Sequence, residues 1–418
     1  MSIKIRLTVL SFLQFFIWGS WLITIGAYWF QTKQWGGAEF GAIFSTMGFS
    51  AIFMPTVMGL IADRFVNAER LLGISHLAGA VILFLIPWVD SPGAMFLVMF
   101  INMIFYMPTI SLANTVSYSA LKRSGKDVIK YFPPIRVWGT IGFIAAMWVV
   151  SLTHLEKSAG QFYVAAAASL LLGLYAFSLP PCPPPLKGAD NKEAGIQMGR
   201  AAFSLFRNRK MALFFVFAML LGAALQLTNA YGDTFLHDFA RIDAYKDTIA
   251  VKYPAIIMSI SQISETLFIL AIPFMLHRFG IKKVMLFSMI AWVLRFGLFA
   301  YGNPAEGLWM IILSCIIYGM AFDFFNISGS LFVETESSES IRASAQGIFM
   351  MMTNGVGAVL GSMISGVVID QFFTYADNSK NWQGIWLSFA LYALVVAVAF
   401  AVFFRHQHRP QRLDVASH

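Results

Sequence analysis

Residues 318–334 read YGMAFDFFNISGSLFVE and lie inside an apolar run from about Leu308 to Val333. At 1.5 Å rise per residue that run is long enough to cross a bilayer. Asp323 sits near its middle, between Phe322 and Phe324. An ionised aspartate at that depth costs roughly 2.5–3.5 kcal/mol on insertion scales. Tyr318, Phe322 and Asn326 recur every four residues with Asp323 beside them, so two aromatics, an amide and a carboxyl share one side of a helix. Such a face suits a polar organic ligand with a flat ring. The competing reading is an aspartate hydrogen-bonded to neighbouring helices as structural glue.

The composition generalises that reading. Of 418 residues 58% are hydrophobic and only 12% charged, with a mean hydropathy of +0.70, which excludes a soluble enzyme. The net charge of +8 is not a nucleic-acid footprint, because its location follows the positive-inside pattern. Twelve apolar spans lie between residues 7 and 404. With the N-terminus inside, the cytoplasmic segments hold 21 Lys and Arg and the outer loops only 6: Lys33, Lys157, Arg241, Lys246, Lys252 and Lys380. Both termini are therefore expected in the cytoplasm. The first span, after MSIKIR, is too long for a cleaved leader and is expected to be retained. Cys182 and Cys315 give no disulfide framework.

The longest cytoplasmic break begins with PPCPPP at 180–185. Proline ends the sixth span there, and the polar residues that follow read as a linker. The expected organisation is a six-helix half over 1–180, a linker over 181–209, a second six-helix half over 210–405 and a tail over 406–418. Pro55, Gly59, Asp63 and Arg64 between the second and third spans are echoed by Pro273, Arg278, Gly280, Lys282 and Lys283 in the second half. Both copies resemble a degenerate form of the loop pattern of major facilitator transporters, which are built from such repeats. The resulting fold class is an all-α integral membrane protein with twelve transmembrane helices in two six-helix halves. Gly355, Gly357, Gly361 and Gly366 in the eleventh span, with Gly139 and Gly142 in the fifth, fit helices that slide or simply pack closely.

Several spans carry polar constellations. Gln262 and Glu265 stand at i, i+3 in the eighth, with no Lys or Arg within a turn of Glu265. A carboxyl withdrawn from water favours its protonated form, which makes Glu265 a candidate proton carrier. Gln226 and Asn229 stand at i, i+3 in the seventh, and their amides can both donate to and accept from hydroxyls and base edges. Arg136, Thr140 and Phe143 form a stripe in the fifth; Arg136 either reaches a ligand or snorkels to the headgroups. Asn102, Tyr106 and Thr109 stripe the fourth, and Gln14, Trp18 and Trp21 are further candidate cavity walls in the first. Arg295, in the ninth, reads as structural. The histidines give no metal-type pair within a span, so no metal site is expected, and no P-loop supports ATP-driven pumping.

FLQFFIWGSWL (12–22), FPPIRVWGTIGF (132–143), SISQISETLFIL (259–270), AFDFFNISGSLFVE (321–334) and IRASAQG (341–347) resemble the bacterial nucleoside:proton symporters of the major facilitator superfamily, from the first span to the last. The resemblance implies proton-driven nucleoside uptake across the inner membrane by alternating access, with no cofactor beyond the coupling proton and no enzymatic activity. It marks Arg136, Thr140, Phe143, Gln226, Asn229, Gln262, Glu265, Tyr318, Phe322 and Asp323 as site residues, with Asp323 and Glu265 coupling to protons. Asp233 is a weaker candidate, since its place in the family pattern can hold an uncharged amide. The expected partners are a nucleoside and the bilayer, with no nucleic acid, for a monomer. The alternative is a proton symporter for a sugar or glycoside on the same scaffold.

Overall fold

The computed structural model describes residues 2–184, 204–337 and 342–406. Among these, the regular structure is helical apart from one isolated bridge between Thr374 and Lys380. Helix α1 spans Ile3–Gly19, capped by Ser2, whose hydroxyl accepts from the Ile5 N–H. It is followed by a short turn, Ile25–Ala27 and a π-helical segment, Tyr28–Thr32. α2 is Gly37–Arg64, α3 Ala68–Leu85, α4 Pro92–Arg123, α5 Val128–Leu152 and α6 Gly160–Ala176. α4 starts on proline, whose missing N–H is no loss in the first turn, behind a Ser91 cap. α7 is Arg209–Asp238.

The helix over Pro254–Tyr301 is broken at Gly280, whose φ of 76° and ψ of 166° are open only to glycine at low cost. It is therefore two segments, α8 (254–279) and α9 (281–301). α10 is Leu308–Glu336. α11 comprises Arg342–Met350, a π-helical turn at Met351–Gly357 and Ala358–Phe373. α12 is Trp382–Phe403, capped by the Asn381 side chain. Nine described helices are long and apolar enough to cross a membrane, one of them the pair α8–α9. With α1 and the shorter α6, they fit the twelve spans expected. Leu171, Leu270, Phe274 and Leu391 are each more than half exposed, as lipid-facing side chains are.

The chain forms two compact units. The first contains Met1–Asp190, Asn229–His237 and Tyr253–Ile256; the second contains Asn191–Thr228, Asp238–Lys252 and Ile257–His418. Most of the linker expected over 181–209, and nearly all of the tail expected over 406–418, lie outside the described residues.

Within the first unit α1 runs along α5 and α3 along α6. A Cβ on Gly142 would collide with the Phe12 carbonyl, so α1 and α5 touch backbone to backbone. Glu69, buried at the start of α3, accepts from the Cys182 N–H (2.7 Å) and Asn67 Nδ2 (2.9 Å), which fixes the chain leaving α6. The second unit has similar seams. A Cβ on Gly361 of α11 would stand 2.5 Å from the Ala223 Cα of α7, and one on Gly319 of α10 would stand 2.6 Å from the Ser264 carbonyl of α8. In lipid, where apolar burial gives little drive, such close approach supplies the packing.

Candidate functional site

In the second unit α10 sets out the expected stripe. Tyr318 and Phe322, one turn apart, stack with centroids 5.8 Å apart and planes within 3°. Tyr318 is fixed from behind by α9. Trp292 meets it edge-on at 6.0 Å, and the Arg295 guanidinium lies 4.7 Å from its ring centre. Arg295 is itself buried. Its Nη1 donates to the Ser314 carbonyl at 2.6 Å, its guanidinium approaches Ser261 Oγ at 3.4 Å, and its Nε approaches Thr228 Oγ1 at 3.5 Å. Ser314 Oγ donates back to the Arg295 carbonyl at 3.0 Å. Arg295 thus reads as structural, as the sequence indicates, and what it braces is Tyr318.

Asp323 is buried on α10, and its Oδ2 accepts no hydrogen bond among the described residues. Glu265, half-buried on α8, acts electrostatically on both Asp323 and the Tyr318 hydroxyl. Two side-chain amide oxygens are also buried and unmet in this unit, Gln226 Oε1 on α7 and Gln262 Oε1 on α8, as are the hydroxyls of Ser328, Ser337 and Ser362. Buried polar atoms nearly always find partners, so three unmet carboxyl and amide oxygens in one unit call for donors from elsewhere. Beside Phe322 and Asn326 opens a small recess, walled by Leu225 of α7, Trp292 of α9, and Thr353 and Asn354 of α11. Thr353 and Asn354 belong to the π-helical turn, which re-aims side chains relative to a regular helix.

In the first unit, α5 carries Arg136, Thr140 and Phe143, and Asn229 also falls here. The Arg136 guanidinium packs over the Phe15 ring of α1, 4.0 Å from its centre. Gly139 makes room for this, since a Cβ there would stand 2.7 Å from Arg136 Nη1 and from Phe15. Behind lies a buried polar network. Gln14 donates from Nε2 to Thr109 Oγ1 at 2.8 Å, its Oε1 meets His76 Nε2 at 2.9 Å, and Tyr106 donates to the Gln14 carbonyl at 2.7 Å. Trp18 packs against Tyr106 at 5.6 Å. Gln14, Tyr106 and Thr109 were legible as candidate walls; His76, their link to α3, was not.

Asp233 is separate from both groups. It is fully buried on α7 near His237 and Glu156, whose potential ligand atoms all lie within 4.8 Å of one another. Asp233 and His237 stand at i, i+4, whereas Glu156 is distant in sequence, so spacing alone does not join the trio.

A chain that is helical through its described residues, with nine helices long and apolar enough to cross a membrane and carboxyls buried among them, has the architecture of a multi-pass membrane transporter. The chain belongs to the nucleoside H⁺ symporter family, whose model matches residues 1–409. It is 55% identical to the xanthosine permease of Escherichia coli K12 over 99% of this chain and 98% of that protein. It is 52% identical to the nucleoside permease NupG of the same organism over 98% and 97%. A crystal structure of a NupG mutant superposes with a TM-score of 0.93 at 51% identity, covering 97% of this chain and all of that one.

Proposed function

We propose that this chain imports nucleosides together with protons by alternating access, with both termini in the cytoplasm and 1–180 and 210–405 as the two moving halves. The observation that carries the site assignment is the trio of unmet carboxyl and amide oxygens, Asp323 Oδ2, Gln226 Oε1 and Gln262 Oε1, in the unit that holds the Tyr318–Phe322 stack. A nucleoside supplies what they lack: ribose hydroxyls and base N–H groups as donors, and an aromatic face. Rings with centroids 5.8 Å apart leave no slot for a third between them, so the base packs on the open side of half-buried Phe322. Gln226, Gln262 and Asn229 read hydrogen-bonding edges. Arg136 and Thr140 contact polar substituents, and Phe143 packs on the base.

Asp323 and Glu265 carry the coupling. Closure around two interacting carboxyls disfavours two charges at once, so the loaded, closed form holds a proton. A neutral carboxyl both donates and accepts, which suits it to a substrate hydroxyl. Opening to the cytoplasm rehydrates the site and releases the proton. The localisation that follows is a bacterial inner membrane, and the working unit is a monomer.

The test uses purified protein in liposomes with an inward proton gradient, labelled uridine and unlabelled nucleosides, free bases and sugars as competitors. Nucleosides should compete, and the label should be recovered unchanged inside. Competition by sugars with no effect of nucleosides would replace this reading with the glycoside alternative.

A further inference from the structure

A second group of buried ionisable side chains lies in the first unit, at the helix ends that the charge pattern assigns to the outside. Glu156 stands in the turn after α5, and Asp233 and His237 stand one helical turn apart on α7; their exposures are 3%, 0% and 3%. His237 Nε2 lies 3.0 Å from Glu156 Oε2 and 3.5 Å from Asp233 Oδ2. The other Glu156 oxygen accepts from the Ala255 backbone N–H, at the start of α8, at 3.2 Å. Gln161 Nε2 holds the Glu156 carbonyl at 2.8 Å, and Thr24 beyond α1 donates to Gln161 Oε1 at 2.8 Å. Neither Asp233 oxygen has a hydrogen-bond partner of acceptable geometry among the described residues.

The surrounding seam is closed. A Cβ on Gly26 would stand 2.9 Å from the Ala230 carbonyl, and Tyr231 packs on Phe40 at 5.6 Å. The remaining ionisable groups on these elements offer the trio little compensation. Lys157, whose field reaches Asp233, is exposed, and exposed His154 stacks on Tyr253 at 5.6 Å. Asp238 accepts from Trp382 Nε1 at 2.9 Å, and Lys252 pairs with Asp247 at 3.0 Å.

Charge arithmetic then bears on how the trio can close. Two carboxylates with a neutral imidazole carry two negative charges, and electroneutrality requires two added protons. An uncompensated charge withdrawn from water costs several kcal/mol. The contacts also tie Glu156 to segments some 80 to 100 positions later in the chain. In the proposed division these belong to the other moving half, so opening to the outside has to part them.

We propose that Glu156, Asp233 and His237 form a second proton-binding site, distinct from Asp323 and Glu265, that is loaded from the outside and latches that end of the transporter shut. The inference rests on the alternating-access reading above. Parted, the carboxylates are hydrated and ionised; closing removes the water, disfavours the charges and proceeds with uptake of protons from the external medium. These protons return to the side they came from when the latch reopens, so they set when the transporter closes, not how many protons cross.

The experiment uses full-length protein in liposomes, with Ala230→Cys at the seam as reporter. Cys182 and Cys315 are buried and serve as background. Maleimide is applied from outside at an external pH from about 8 to about 5.5, across the histidine range. Labelling of the Ala230→Cys parent should fall about tenfold as pH drops. With Glu156→Gln and Asp233→Asn added, it should change less than about twofold, at an unaltered proton:nucleoside ratio. Should that double variant fail to give monodisperse protein, Glu156→Gln alone, which keeps an oxygen for Ala255, is measured instead. An equal pH response in either variant, or a flat response in the parent, overturns the latch. Closure that follows added Zn²⁺ or is reversed by chelator at constant pH overturns it in favour of a cation site. Proton-driven uptake by the unmodified protein is scored separately, so that loss of the latch and loss of the transport reading are distinguishable.

Discussion

Two aspartates are buried on membrane-crossing helices, and their surroundings differ. Asp323 lies on α10 beside a pair of stacked rings, with Glu265 as its electrostatic neighbour and an oxygen that accepts no hydrogen bond among the described residues. Asp233 lies on α7 with a histidine at 3.5 Å that is itself 3.0 Å from a second carboxyl, Glu156. The first environment lacks donors and offers an aromatic face, so it is completed by a ligand and a proton. The second is completed by protons alone and connects distant stretches of chain. Burial therefore says little about what an intramembrane carboxyl does; the groups facing it say more.

The comparison is sharpened by changing the neighbours. Glu265→Gln should lower nucleoside affinity about thirtyfold and impair uptake, as expected for a charged group near ligand hydroxyls. Glu156→Gln should instead alter the response to external pH. Calorimetric titration alongside liposome uptake separates the two. Equal effects of both variants on affinity would erase the distinction drawn between the sites.

Next in size is the brace behind Tyr318. Arg295→Met, which keeps bulk and loses the guanidinium, should weaken binding of every nucleoside about tenfold, because Tyr318 loses its backing while the edge-reading amides remain. Loss of affinity for some nucleosides only would place Arg295 in recognition. Smaller still, Gln226→Ala should change the ranking of nucleosides by about fivefold, since an amide reads donor and acceptor pattern. A uniform loss across the competitor panel would contradict that role.

The smallest effect is expected at the surface. Lys252 hydrogen-bonds Asp247 and holds its carboxyl below the usual carboxylate range, but the pair stands in solvent. The contribution is present above the unfolded-state pKa and is lost as pH falls through the depressed one. Screening leaves it slight, so Asp247→Asn should leave the thermal midpoint and uptake unchanged within error.

The stripe on α10 was legible because helical periodicity alone aligns Tyr318, Phe322 and Asn326, and a carboxyl within an apolar run announces itself. The stripes on α5, α7 and α8 follow the same logic. What periodicity does not carry is contact between helices. The bracing of Tyr318 depends on Arg295 meeting Ser261, Ser314 and Thr228 from three other helices. His76 joins Gln14 across 62 positions, and Glu156 meets His237 across 81. The π-helical turn that places Thr353 and Asn354 at the recess adds one residue to a helical turn, which no spacing rule anticipates. The i, i+4 pair Asp233 and His237 was visible, but with no partner in sight it carried no meaning until Glu156 joined it.

The central claim is that Asp323 couples nucleoside binding to proton movement. It is tested most directly by following intraliposomal pH with a trapped dye while nucleoside is added outside, comparing the unmodified protein with Asp323→Asn. That change is nearly isosteric and permanently uncharged. The unmodified protein should acidify the lumen as nucleoside enters and accumulate it against a gradient. Asp323→Asn should still bind nucleoside calorimetrically but show neither acidification nor accumulation. Acidification and accumulation at unmodified levels by Asp323→Asn would contradict the account and remove this carboxyl from the coupling step.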